Sequence, residues 1–187
     1  MISQIFDTNA FKIIALFSLS PGSRLKRKEI QEKTKLNNVP LDKALSRLVS
    51  SNIIKKENNL FSINFESNEA EKIMEIAVSQ FKQMKSLPFD VYLLLLDVVY
   101  EISSMKELGA WLFGSYSKLV YNEKSDIDLA FLTGESFNKN SVIKILRKLE
   151  NKYNKKLESH FFPKKEFYKN KKDPLVKEIL QNGIKIL

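Results

Sequence analysis

Residues 109–132, GAWLFGSYSKLVYNEKSDIDLAFL, restrict the fold more than any other stretch of the chain. Ala110–Phe113 is a short apolar run that favours a strand and closes on Gly114-Ser115. Ten residues follow Ser115, and Asp126-Ile127-Asp128 then opens a second apolar run, Leu129–Leu132. With the period of two of a strand, Asp126 and Asp128 point to one face and Ile127 and Leu129 to the other. Their Cα atoms would lie roughly 6.5–7 Å apart at the usual rise per residue. Two carboxylates that close repel each other unless a cation stands between them. Magnesium suits them, being a hard ion that takes carboxylate and phosphate oxygens together. Glycine lets a phosphate approach the backbone. Ser115 adds a hydroxyl, and the N–H groups of a following helical turn would add further donors. Lys118 and Lys124 are the nearest cations in sequence for neutralising phosphate. The plain alternative is an exposed strand start carrying two solvated acids.

Composition narrows the chemistry. The chain has 187 residues, enough for one large or two small domains. It lacks cysteine, which excludes disulfides, thiolate nucleophiles and Cys-bound zinc, and its one histidine, His160, excludes a His–His metal site. The net charge of +9 favours phosphate-rich partners. Residues 1–65 hold 11 basic against 5 acidic side chains, and residues 144–172 hold 11 against 3. On a helix such lysines more commonly make a solvated face than a binding surface. No apolar run reaches membrane-spanning length, and MISQIFDTNAFK lacks the basic start of a secretion signal. The expectation is a cytoplasmic protein without a membrane partner.

The first 65 residues predict three helices and a hairpin. Asp7 or Thr8 caps a helix with Phe11, Ile14, Ala15 and Leu19 inward, and Ser20-Pro21-Gly22-Ser23 ends it. A second helix spans about 26–35 with Ile30 inward. Asn37-Asn38 turns the chain, and Pro40 suits a first helical position. Leu41, Ala44, Leu45, Leu48 and Val49 form the apolar stripe of a third helix. Ile53–Lys56 and Leu60–Ile63 flank a polar turn. This order resembles the winged helix-turn-helix family of DNA-binding domains. The resemblance implies that Asp42, Lys43, Ser46, Arg47 and Ser50 face double-stranded DNA. It implies that Lys55, Lys56, Asn58 and Asn59 decorate the wing. A helical module docking to a protein is the alternative.

Ala70, Ile73, Met74, Ala77, Phe81 and Met84 predict a linking helix over 66–86, free to pack on either neighbour or on a second copy in a homodimer. Leu87-Pro88-Phe89 marks a boundary, and Phe89–Met105 reads as an apolar helix with Asp97 and Glu101 on its wet side. The fold class expected is α+β, divided into 1–65, the linking helix 66–86, and 87–187.

A strand, Gly-Ser, about ten residues and then Asp-x-Asp on the next strand resembles the polymerase-beta-like nucleotidyltransferases, and the SDIDL wording their minimal members. The resemblance covers 87–187 and implies a small mixed sheet with flanking helices. That family carries a third carboxylate on a later strand. Here Glu158 stands in that place, after a helix over Ser141–Tyr153, where the family usually has aspartate. Leu119 stands where many members have glycine, and Ser117 where alanine is common. The closing DPLVKEILQNGIKIL also fits the family, with Asp173 capping, Pro174 opening a helix and Gly183 ending it.

The resemblance implies transfer of a nucleoside monophosphate, AMP first among them, from a nucleoside triphosphate to a hydroxyl. Asp126, Asp128 and Glu158 would hold two Mg2+ ions, Glu158 would draw the acceptor's proton, and Gly114 and Ser115 would bind the β- and γ-phosphates. It also implies a partner, a HEPN-domain toxin whose antitoxin this chain would be. A small-molecule modifier is a second enzyme reading. A winged-helix regulator whose inactive transferase domain senses nucleotide or holds a partner is the reading from another class.

Overall fold

The computed structural model describes residues 7–81, 84 and 86–187, the side chains of Gln80 and Phe81 excepted. The chain divides into two compact units, Met1–Lys85 and Ser86–Leu187.

In the first unit, α1 (Thr8–Leu19) is the central helix, and α2 (Arg27–Thr34), α3 (Asn38–Ser50) and α4 (Asn68–Phe81) all pack against it. Its start is fixed by Asp7, whose Oδ1 accepts from the N–H groups of Asn9 and Ala10, two donors with no partner inside the helix. Leu41, Ala44, Leu45 and Leu48 of α3 are buried as their spacing predicts. Val49 and Leu19 are exposed, because the apolar stripe runs off the core at a helix's last turn. Pro40 is the third residue of α3 rather than the first, still within the turn whose N–H groups lack helical acceptors.

The hairpin pairs β2 (Ile54–Glu57) with β3 (Leu60–Ile63), and Glu57 faces Leu60 across a two-residue turn. Asn58 and Asn59 both have positive φ, 48° and 63°, which the tight mirror-image turn of a hairpin requires and asparagine tolerates. A third strand, β1 (Leu25–Lys26), pairs antiparallel with β3. Two residues are too short for a pattern of alternation to reveal. The expected linking helix is α4, and it belongs to the first unit: Ala70, Met74 and Ala77 are buried where it packs on α1. The Phe81 side chain and residues 82, 83 and 85 of that expectation lie outside the described residues.

The second unit opens with α5 (Phe89–Ile102), whose residues 91–99 are all buried. Asp97 therefore corrects its expected wet position. It is 8% exposed and accepts from the Tyr153 hydroxyl at 2.7 Å and from Lys152 Nζ at 2.8 Å. Burial, with the Asp97 charge beside it, pushes the Tyr153 hydroxyl far above the usual tyrosine range, so it stays a donor. Lys152 and Tyr153 end α7 (Lys139–Tyr153).

The sheet order is β6 (Leu157–Pro163), β5 (Ile127–Thr133), β4 (Gly109–Phe113), β7 (Ile184–Lys185). β4 pairs antiparallel with β5 and β7, whereas β5 and β6 run parallel, joined through α7. Alternate residues of each strand face opposite covers. Phe113, Ala130 and Leu132 meet Phe167 of α8 (Lys164–Lys169) and Val176 and Ile179 of α9 (Pro174–Asn182). Leu112, Leu129 and Phe131 are fully buried on the other face. Each such side chain contributes about 1.5–3 kcal/mol of burial. Asp173 caps α9 with Pro174 at its first position. Among the described residues no helix is long and apolar enough to cross a membrane.

Five cations of the basic run 144–172 are bound to acids outside it. Lys155 reaches Asp90, Lys152 Asp97, Lys148 Glu101, Lys156 Asp126 and Lys165 Glu135. Part of that charge is structural.

Candidate active site

The site grows from the end of β4. There Phe113 pairs with Asp128 of β5, and Gly114 follows with φ 72°. The conformation favours glycine, and a Cβ on Gly114 would collide with the Asp128 carboxylate. Backbone and carboxylate approach this closely only because no side chain intervenes. The chain then makes one helical turn, α6 (Gly114–Ser117), in which the Ser117 hydroxyl donates to the Gly114 carbonyl at 3.0 Å. The Ser115 carbonyl accepts from Val120 N–H at 3.0 Å. Tyr116, buried, stacks on Tyr121 with ring centres 4.5 Å apart. Leu119 has φ 60°, the left-handed region, which explains why glycine is suited to that place.

Asp128 and Glu158 are register partners on the parallel strands β5 and β6, and so stand side by side. His160, two residues on, shares the face of Glu158, with its Nε2 3.2 Å from Glu158 Oε1. One ligand atom each from Asp128, Glu158 and His160 falls within 4.8 Å of the others. Burial raises the pKa of Asp128 first, and the Glu158, Asp126 and Glu178 charges add to it against an opposing contribution from His160.

Asp126 is placed differently. It precedes β5, and its Oδ2 accepts from Lys156 Nζ, which raises the lysine's pKa through that hydrogen bond. Of the three expected acids, the structure thus sets Asp128 against Gly114 with Glu158 beside it, and ties Asp126 to a lysine. Lys118 is also engaged, 2.7 Å from Glu178 on α9. Lys124 is exposed, its N–H donating to Asn122 Oδ1. His160 enters the group as well, although read from the sequence alone it only excludes a His–His site; its spacing of two from Glu158 puts it on that residue's face.

In the first unit, Lys43 and Ser46 of α3 are exposed. Arg47 is paired with Asp7 at 3.0 Å, and Asp42 is held by Arg27 through two hydrogen bonds of 2.7 and 3.0 Å. Lys55 pairs with Glu57 at 3.4 Å, and Lys56 lies over the Phe61 ring. A shallow concavity brings Lys43 and Arg47 together with Asp7, Asn9 and Val39.

Residues 102–187 match the family model described as Polymerase beta, Nucleotidyltransferase. The match lies wholly within the second unit and supports the nucleotidyltransferase superfamily for it. No curated protein and no solved structure matched the chain. Nucleotidyltransferase domains generally use a nucleoside triphosphate and a divalent metal. The donor set here fits such an ion: two carboxylates whose repulsion a cation would relieve, with an imidazole beside them.

Proposed function

We propose that the second unit is a metal-dependent nucleotidyltransferase that moves AMP from ATP to a hydroxyl acceptor and releases pyrophosphate. The observation that carries this reading is the pairing of Asp128, which lies against Gly114, with Glu158 on the parallel neighbouring strand, inside the segment that matches the family. A divalent cation bound there would neutralise phosphate oxygens as charge shifts between them. Asp128 and Glu158 would hold it, with Asp126 as a further ligand. The Gly114-Ser115 backbone and the Ser115 hydroxyl would orient the β- and γ-phosphates. Lys156, a largely exposed cation, would be drawn from Asp126 toward the triphosphate. Glu158, half exposed, would take the acceptor's proton. The acceptor oxygen then bonds to the α-phosphorus, and the bond to the β-phosphate oxygen breaks.

The acceptor proposed is a hydroxyl on a partner protein, as the resemblance to minimal nucleotidyltransferases implies through their HEPN-domain toxins. The first unit is read as a winged-helix contact to DNA, supported by exposed Lys43 and Ser46 on α3 and by a tight hairpin beside it. The test is pyrophosphate release and acceptor labelling by the purified chain with ATP, GTP, CTP or UTP. Wild type is compared with Asp128→Asn and Glu158→Gln, each checked for folding by circular dichroism. Product from wild type alone is expected. Equal product from all three removes the reading.

A further inference from the structure

We propose that His160 is a metal ligand of this site, and that the site accordingly prefers Mn2+ to Mg2+. The inference rests on the metal-dependent reading above and adds to it the identity of one donor and of the ion. Three observations carry it. His160 and Glu158 lie two apart on β6 and share a face, and Glu158 stands opposite Asp128, so the three side chains converge. Their ligand atoms fall within 4.8 Å of one another, a set that leaves Asp126 out. The imidazole presents Nε2 to the Glu158 carboxylate at 3.2 Å, and its ring rests 5.4 Å from that of Phe113, edge to face, which orients it.

The chemistry of that set discriminates between ions. Two carboxylates and a neutral imidazole balance the charge of one divalent cation. Magnesium demands oxygen donors and gives up its water reluctantly, so a nitrogen in the set weakens its hold. First-row transition ions accept imidazole, and among them manganese also keeps the preference for carboxylate and phosphate oxygen that a triphosphate substrate requires. These three donors leave the remaining positions of a six-coordinate ion for Asp126, water and phosphate. The alternative role of His160 is a hydrogen bond that steadies Glu158, and this role puts no nitrogen on the metal.

Pulsed electron paramagnetic resonance on the Mn2+-loaded wild-type protein distinguishes the two, and it needs no variant. A coupling from a directly bound imidazole nitrogen is expected. Titration with Mn2+, followed by loss of the free-ion signal, and competition by Mg2+ should show tighter binding of Mn2+. His160→Gln should lose the nitrogen coupling and at least about tenfold in Mn2+ affinity, the lower end of what losing even an outer partner of a metal costs. Its Mg2+ affinity should change little. Mn2+ bound without nitrogen coupling, equal Mn2+ affinity in wild type and His160→Gln, or no binding of Mn2+ overturns the inference. If product still forms in that case, the transferase reading stands. Nitrogen coupling with no product from any nucleotide leaves His160 as a ligand and removes the transferase.

Discussion

Helix α3 of the first unit and the rim of the sheet in the second both carry several charged side chains, and the difference between them lies in Asp128, set among acids, while Asp126 and Glu178 around it are answered by Lys156 and Lys118. On α3, Asp42 is gripped by Arg27 and Arg47 is answered by Asp7. At the sheet rim, burial and the charges of Glu158, Asp126 and Glu178 all raise the pKa of Asp128, and His160 opposes them. A folded chain leaves like charges massed in a half-buried place at a cost in stability, so such a place points to a ligand that relieves them. Paired charges on an exposed helix carry no such implication.

The sharpest way to break the comparison is to remove one acid from each region. Asp128→Asn should lower nucleotide transfer by roughly 10²–10⁴-fold, the scale of losing one charge-stabilising or proton-handling group. It should also leave the melting temperature unchanged or raised, because repulsion is lost with the charge. A variant that melts much earlier would show that Asp128 is structural.

Gly114→Ala tests the close approach at the rim. The backbone strain and the collision with Asp128 together should cost about 1–3 kcal/mol in denaturant unfolding. Adding Asp128→Ala should relieve the collision and leave the backbone strain, a coupling that a double-mutant cycle reads. A purely additive cycle would break the geometry.

Leu119→Gly should raise stability by about 0.5–1 kcal/mol, since relief of a left-handed leucine exceeds glycine's greater freedom in the unfolded chain. Calorimetry checks it, and a lowered melting temperature would mean that the half-exposed leucine side chain packs better than its exposure suggests.

The smallest effect belongs to Asp42→Asn. Arg27 holds the Asp42 carboxyl below the usual aspartate range, mainly by hydrogen bonding. The pair therefore adds stability above the unfolded aspartate pKa and loses it as pH falls through the folded one. The gap in melting temperature between variant and wild type should be slight near neutrality, shrink in high salt and vanish in acid. A gap that survives in acid would show that the pair's charge is not the source.

How far the sequence reaches is clear from particular residues. The helical stripe on α3 and the two-residue hairpin turn are legible because periodicity and asparagine carry them locally. Glu158 is legible only through the family resemblance, which places a third carboxylate on a later strand; its pairing opposite Asp128 is visible only once β6 lies beside β5. Asp97 is not: its inward position depends on Tyr153 and Lys152 far along the chain, which supply the hydrogen bonds that permit burial. Nor does spacing reveal that Asp126 leans on Lys156, because strand alternation predicts a face only for residues inside the strand. His160 read alone is an ordinary histidine, and it becomes conspicuous only when β6 lies in register beside β5.

The parallel pairing of β5 with β6 has a consequence for the chain's birth. Asp128 and Glu158 are separated by the whole of α7, so neither has its neighbour until the crossover is complete. A nascent polypeptide that has not yet released residue 158 from the ribosome lacks the pairing of the two carboxylates. Fragments cut short before that residue would therefore lack the pairing on which the proposed transfer depends, whatever else they managed to fold.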